Sequence, residues 1–195
     1  MDRVIDGSLK EYLAGLGEKI PAPGGGSATA AVLCCGISLH KKCLLYSSSN
    51  FEKESFKNIK LSLDQAIEKA LALIDRDREV YLKLNDLIKD RSANKDEIQE
   101  AYRDAASVPL EMIRIVITVL DLINRSIGKI KMIFVSDIMA AMSFLEAVFD
   151  SALIFVEINL KSIDVSFKEF SGFDEEEIKK LREDFKRIGI ELENE

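Results

Sequence analysis

The sequence has no tryptophan, one histidine, three prolines and three cysteines in 195 residues, and its 27 basic residues are outnumbered by 34 acidic ones. Each scarcity excludes something. A single histidine, His40, removes the paired-histidine and Glu-x-x-His metal schemes, and Cys34, Cys35 and Cys43 lack zinc spacing. A Ser27–His40 nucleophile pair fails as well, because thirteen residues along one helix set the two about 220° apart. The net charge of −7 leaves no basic footprint with which to displace counterions, so nucleic acid is excluded as a partner. Collagen-like and disordered classes are excluded by ten glycines against 47% hydrophobic residues. The opening Met1-Asp-Arg-Val-Ile-Asp6 carries mixed charge and no apolar run, so no leader is expected. Three thiols within one apolar stretch are expected to be reduced and buried, in a cytoplasmic protein.

Helical periodicity fills most of what remains. Ser8-Leu-Lys-Glu11 has the form of a capping box and should start a short helix running to about Glu18. Pro21-Ala-Pro-Gly-Gly-Gly-Ser27 then forbids regular structure. Residues 27–47 resume apolar on nearly every side, which predicts a central helix. From Glu52 to Lys89 the stripe Ile59, Leu63, Ile67, Leu71, Ile74, Tyr81, Leu84, Ile88 repeats at three, four or seven. Asn94 to Glu97 signals another start, in a helix that Pro109 should kink or restart, followed by an apolar segment from Leu110 to Ile127 that Gly128 ends. A second all-round apolar helix is expected from Ser136-Asp137 to about Ile163, interrupted by too many charges for a membrane span. Asp174 and Glu177 open a last charged helix ending near Arg187. No strand alternation or hairpin turn appears. The expected architecture is an all-α helical bundle with two buried central helices over 1–165, followed by a charged helical extension over 166–195.

Several residues break the rules of a plain bundle. Three consecutive glycines ahead of a buried helix present unpaired N–H groups at a positive dipole end, either as an oxygen-binding site or as a turn that Ser27 caps. Asp77 falls on the inward stripe, where a carboxylate costs several kcal/mol unless paired, so it is ion-paired with a neighbouring Lys or Arg, carried outward by a bend in the helix, or functional. Asp137 reads as a first-turn acid favoured by the dipole or as an ionised base at the mouth of the bundle. Asn159 is a core hydrogen-bonder or a ligand reader. His40 reads as a surface or helix-end residue. The row Glu146, Asp150, Glu157 reads as a solvated or interface face.

Ile20-Pro-Ala-Pro-Gly-Gly-Gly-Ser-Ala28, opening a helix of small residues, resembles the signature of the cyclodeaminase/cyclohydrolase family of one-carbon folate metabolism. That family comprises the C-terminal domain of formiminotransferase-cyclodeaminase and the stand-alone methenyltetrahydrofolate cyclohydrolases. The resemblance continues at Asp75-Arg-Asp77 with Tyr81, at Ala106-Ser-Val-Pro-Leu-Glu111, at Val135-Ser-Asp137 and at Ile158-Asn-Leu-Lys-Ser162, over roughly residues 5 to 165. The departures are a longer, more apolar stretch from Gly128 to Val135, Phe155 where many members carry an asparagine, and bulkier residues at Cys34, Cys35 and Met139.

The resemblance implies a metal-free enzyme with no permanently bound cofactor, forming a homodimer, with a tetrahydrofolate derivative as substrate and neither nucleic acid nor membrane as partner. Its reaction would be hydrolysis of 5,10-methenyl- to 10-formyl-tetrahydrofolate. The alternatives are closure of 5-formimino-tetrahydrofolate with loss of ammonia, or a non-catalytic folate-binding or structural role. Asp137 would be the catalytic carboxylate. Pro23, Gly24, Gly25, Gly26, Ser27, Asp77, Tyr81, Ser136 and Asn159 would bind substrate. In spatial terms, the glycine turn and Asp137 should face each other over one hollow.

Overall fold

The structure, a computed structural model, describes residues 4–90 and 92–194, and the described residues form helices joined by turns, with no strand. Seven α-helices follow in order: α1 Leu9–Leu16, α2 Gly25–Tyr46, α3 Lys53–Lys89, α4 Lys95–Asn124, α5 Val135–Lys161, α6 Phe167–Ser171 and α7 Glu175–Glu193. Capping boxes start three of them, at Ser8 with Glu11, Asn94 with Glu97 and Asp174 with Glu177. In each, side chain and backbone satisfy each other's otherwise orphaned groups. Helix α4 runs unbroken through Pro109, and α7 extends past Arg187 to Glu193. Four of the seven, α2 to α5, make an up-and-down bundle in which each packs on its neighbour and α5 closes back onto α2.

The direction of each helix matters for the site. Lys41 pairs with Asp64 and Ser27 bonds Asp77, so α2 and α3 run antiparallel. Gly25 lies against Phe155, Gly36 against Ala141 and Leu145, and Lys42 against Asp137, so α2 and α5 are antiparallel too. A side chain on Gly36 would put its Cβ 3.3 Å from the Ala141 carbonyl, which is why a glycine brings these two helices close.

Leu33, Ile37, Ile59, Leu63, Ile113, Leu145 and Phe149 are fully buried in the core, and Phe185, Ile188 and Leu192 of α7 join them. Arg182 ties α7 to α5 through Asp150 at 2.6 Å and lies over the Phe149 ring.

Two expectations are corrected. His40 is fully buried rather than at the surface. Its Nε2 lies 3.3 Å from Ser126 Oγ, which itself donates to the Leu122 carbonyl at 2.8 Å, so Nε2 carries the proton and donates. Of the three free cysteines only Cys43 is buried; Cys34 is half-buried and Cys35 is exposed, because α2 keeps one long strip uncovered. Helix α2 and the span Met132–Lys161 are long and apolar enough to cross a membrane, yet only 44% and 33% of their most apolar windows are buried. The outward strip holds Val32, Cys35, Ala147 and Ile154, with Leu45, Tyr46, Met132 and Ile133 exposed at one end and Ile158 at the other.

Candidate functional site

All four bundle helices meet at the end where α2 begins. There a cleft of about 390 Å³ is lined by the glycine turn (Gly24 to Gly26), Asp77 and Tyr81 of α3, Ala105 and Pro109 of α4, and Phe155, Ile158 and Asn159 of α5. Pro21, Ala22 and Val80 complete the wall. A larger hollow of about 940 Å³ lies between α5 and α7, but its acids and bases include the pairs Asp150–Arg182 and Lys168–Asp174.

Asp77 organises the cleft. Its Oδ2 accepts from the Ser27 backbone N–H at 2.8 Å, so this carboxylate from α3 caps the N-terminus of α2. Part of the orphaned helix start, open to a ligand on the sequence reading, is taken by the protein itself. The fit requires glycine at 26, since a Cβ there would come 2.0 Å from Asp77 Oδ1. Gly25 is required by its other neighbour, the Phe155 ring, whose tip would lie 2.8 Å from a Cβ. Burial pushes the Asp77 carboxyl above its ordinary range, and the Ser27 N–H works against that shift. Ser27 is fully buried, and its hydroxyl shares a hydrogen bond of 3.2 Å with Tyr12, which anchors α1 beside the turn. Burial raises the Tyr12 hydroxyl as well, so it stays protonated.

The remaining polar groups are both donors and acceptors. Asn159 donates its Nδ2 to the Phe155 carbonyl at 2.8 Å, which leaves Oδ1 to accept. Gly25 and Gly26, in the first turn of α2, have no intrahelical acceptor for their N–H groups, and Tyr81 adds a hydroxyl. The thiols of Cys34 and Cys43, pushed up to about 12 and about 11 by burial, are not nucleophiles. Among the described residues no three His, Cys, Asp or Glu side chains gather as a metal set.

The structure thus brings Gly24, Gly25, Gly26, Asp77, Tyr81 and Asn159 together, with Ser27 directly behind them and Pro23 packed under α1 near Gly15. Ser136 and Asp137 are elsewhere in the same chain. Asp137 Oδ2 pairs with Lys42 Nζ at 2.6 Å, and Lys42 is about 25 Å along α2 from Gly25. Within one chain, the glycine turn and Asp137 occupy opposite ends of the bundle, so no single hollow joins them. Tyr12, Ala105, Pro109 and Phe155 went unassigned as site residues. Pro109 and Phe155 carried a visible signal, a helix-interior proline and a bulky departure, whereas Tyr12 and Ala105 carried none.

A family model described as Formiminotransferase-cyclodeaminase matches residues 8–172. The methenyltetrahydrofolate cyclohydrolase of Methylorubrum extorquens is 25% identical over 185 residues, covering 89% of this chain and 86% of that protein. The formimidoyltransferase-cyclodeaminase of Sus scrofa is 29% identical over 172 residues, covering 82% of this chain; the match spans about a third, 32%, of that longer protein. The crystal structure of formiminotetrahydrofolate cyclodeaminase from Thermotoga maritima superposes with a TM-score of 0.81 at 24% identity, over 98% of this chain and 96% of that one, and shows the same all-helical fold.

Proposed function

Because the chain belongs to the formiminotransferase-cyclodeaminase family, we propose that it is an enzyme of folate one-carbon chemistry, a methenyltetrahydrofolate cyclohydrolase. It adds water to 5,10-methenyl-tetrahydrofolate and releases 10-formyl-tetrahydrofolate. The observation that carries the reading is the seat of Asp77: a carboxylate fixed by the Ser27 N–H, beside a glycine turn, in a largely apolar cleft. The methenyl carbon is the centre of a cationic amidine, and an ionised carboxylate in such surroundings stabilises it more strongly than water does. Water attacks that carbon, and one of its protons passes to Asp77 as general base. The new oxygen is received by the Gly25 and Gly26 N–H groups. The C–N5 bond then breaks, N5 takes the proton from Asp77, and the hydroxyl proton leaves to solvent as the formyl C=O forms.

Ring closure of 5-formimino-tetrahydrofolate with loss of ammonia is the second reading, supported by the 29% identity to the pig bifunctional protein. It uses the same amidine carbon and the same acceptors.

The protein acts as a homodimer in the cytoplasm, with tetrahydrofolate derivatives as its small-molecule partner and no resident cofactor or metal. Support for the dimer comes from the uncovered strip of α2 and α5, which a second copy rather than lipid would cover. A twofold axis across the middle of that strip sets Met132 and Ile133 of one end against Ile158 of the other. The same operation carries Asp137 and Ser136 of one protomer toward the cleft of its partner. In that arrangement Asp137, which pairs with Lys42 in its own chain, would reach the partner's cleft and take there the catalytic role that its position within one chain does not allow.

The test follows the methenyl absorption band with wild type, with Asp77→Asn and with buffer, and measures folinate (5-formyl-tetrahydrofolate) binding by calorimetry. Asn keeps an acceptor for the Ser27 N–H but takes no proton, so turnover should fall on the order of 10²-fold or more while folinate still binds. Wild-type decay equal to buffer with folinate bound would identify a non-catalytic folate binder. Equal decay without binding would end the folate assignment.

A further inference from the structure

Helix α4 contains a proline about four turns from either end: Pro109 sits in its interior and is buried, and it lines the cleft together with Ala105. Proline has no N–H, and residue 109 is the helical donor for the carbonyl of residue 105. The Ala105 carbonyl is therefore released from the α4 ladder at the one level where the helix borders the cleft. The cost of such a proline is normally avoided, and α4 has long, well-capped helix on both sides of it. What the break leaves is a main-chain acceptor on a rigid element, lining the same cleft as the Asn159 Oδ1 left over from its bond to Phe155.

We propose that the Ala105 carbonyl, freed by Pro109, is a specificity-determining acceptor that reads the N–H-bearing edge of the substrate's pyrimidine ring. This rests on the folate reading and deepens it. Two acceptors on two different helices, the Ala105 carbonyl and Asn159 Oδ1, select a ligand edge with several donors and reject one with acceptors in their place, since a mismatched edge would leave buried lone pairs facing each other. Pro109 acts as a positioning residue: it contributes no polar group, and its role is to keep residue 109 from claiming that carbonyl.

The experiment uses full-length wild type with Pro109→Ala and Pro109→Val, each of which restores the N–H, Val keeping more of the apolar bulk. Folinate and its 2-desamino analogue are titrated by calorimetry, with turnover of methenyl-tetrahydrofolate measured alongside and folding checked by circular dichroism. Both variants should fold with a melting temperature at or above that of wild type. Both should bind folinate about three- to tenfold more weakly, the range one lost hydrogen bond allows. The desamino analogue should bind wild type and variants alike, and the turnover defect should lie in KM rather than kcat. Folinate affinity unchanged within twofold in both variants, or an equal loss for both ligands, overturns the proposal while leaving the folate reading in place. No binding of either ligand and no turnover by wild type would sink the folate reading, and this inference with it.

Discussion

The Ser27 backbone N–H donates to Asp77 Oδ2 at 2.8 Å, across fifty residues of sequence, and that bond joins the start of α2 to the middle of α3. It does two things at once. It satisfies a helix end that would otherwise be open, and it holds a carboxylate at the wall of a largely apolar cleft. Substitutions around this bond therefore report on structure and chemistry together.

Gly26→Ala should be the most damaging single methyl in the cleft. Its Cβ would fall 2.0 Å from Asp77 Oδ1 and 2.6 Å from Cγ, so the carboxylate must leave its seat and the Ser27 bond with it. Stability should drop by about 1–3 kcal/mol, from strain and one lost charge-assisted bond. Turnover should fall on the order of 10²-fold, because the displaced carboxylate no longer meets the reacting carbon. Urea unfolding and the methenyl assay measure the two effects. A variant with wild-type stability and rate would show that Asp77 moves freely.

Gly25→Ala meets a softer neighbour. The clash at 2.8 Å is with the tip of the Phe155 ring, which can swing away into the cleft at some cost to substrate. We expect a loss of about tenfold or less, expressed in KM, and recovery when Phe155→Leu is added. Additive losses in the double variant would mean that the two residues do not share the contact.

Burial of His40 should make the bundle sensitive to acid. Its pKa is about 6.5 when unfolded and is lowered to about 3 by burial in the fold, so the native state keeps it neutral. The unfolded chain binds the extra proton as pH falls below 6.5. The stabilisation is therefore whole above that value and drains away between 6.5 and 3, by several kcal/mol in total. His40→Met removes the titration and should flatten the stability profile between pH 7 and 4.5, at a cost of about 1 kcal/mol at neutral pH for the lost Ser126 bond. Urea midpoints at several pH values give the answer. An undiminished fall in the variant would place the acid sensitivity on carboxylates instead.

Much of this was legible in sequence. The capping boxes at Ser8, Asn94 and Asp174 start helices where local chemistry placed them. Asp77 stood out because a charge on an apolar stripe must have a reason, and the reason is the α2 N-terminus. Which ends of the helices meet was not legible. Periodicity reveals the buried face of a helix but not its direction, and the antiparallel pairing of α2 with α5 is what carries Asp137 to Lys42, 95 residues away in sequence. His40 was misread for a related reason: its partner Ser126 lies 86 residues off and leaves no local trace. The outward strip of α2 and α5 read as buried because composition cannot distinguish an apolar face turned to the core from one turned outward.

The separation of Asp77 from Asp137 by the length of the bundle makes subunit mixing the most direct test of a catalytic site shared between two chains. Asp77→Asn and Asp137→Asn are each purified as inactive dimers, then unfolded, mixed in equal amounts and refolded. Half of the dimers formed will be mixed, and each mixed dimer regains one site with both carboxylates intact, so activity should return to about a quarter of wild type. A mixture no more active than either parent would contradict the shared site and leave Asp137 at the far end of the bundle without a part in the reaction.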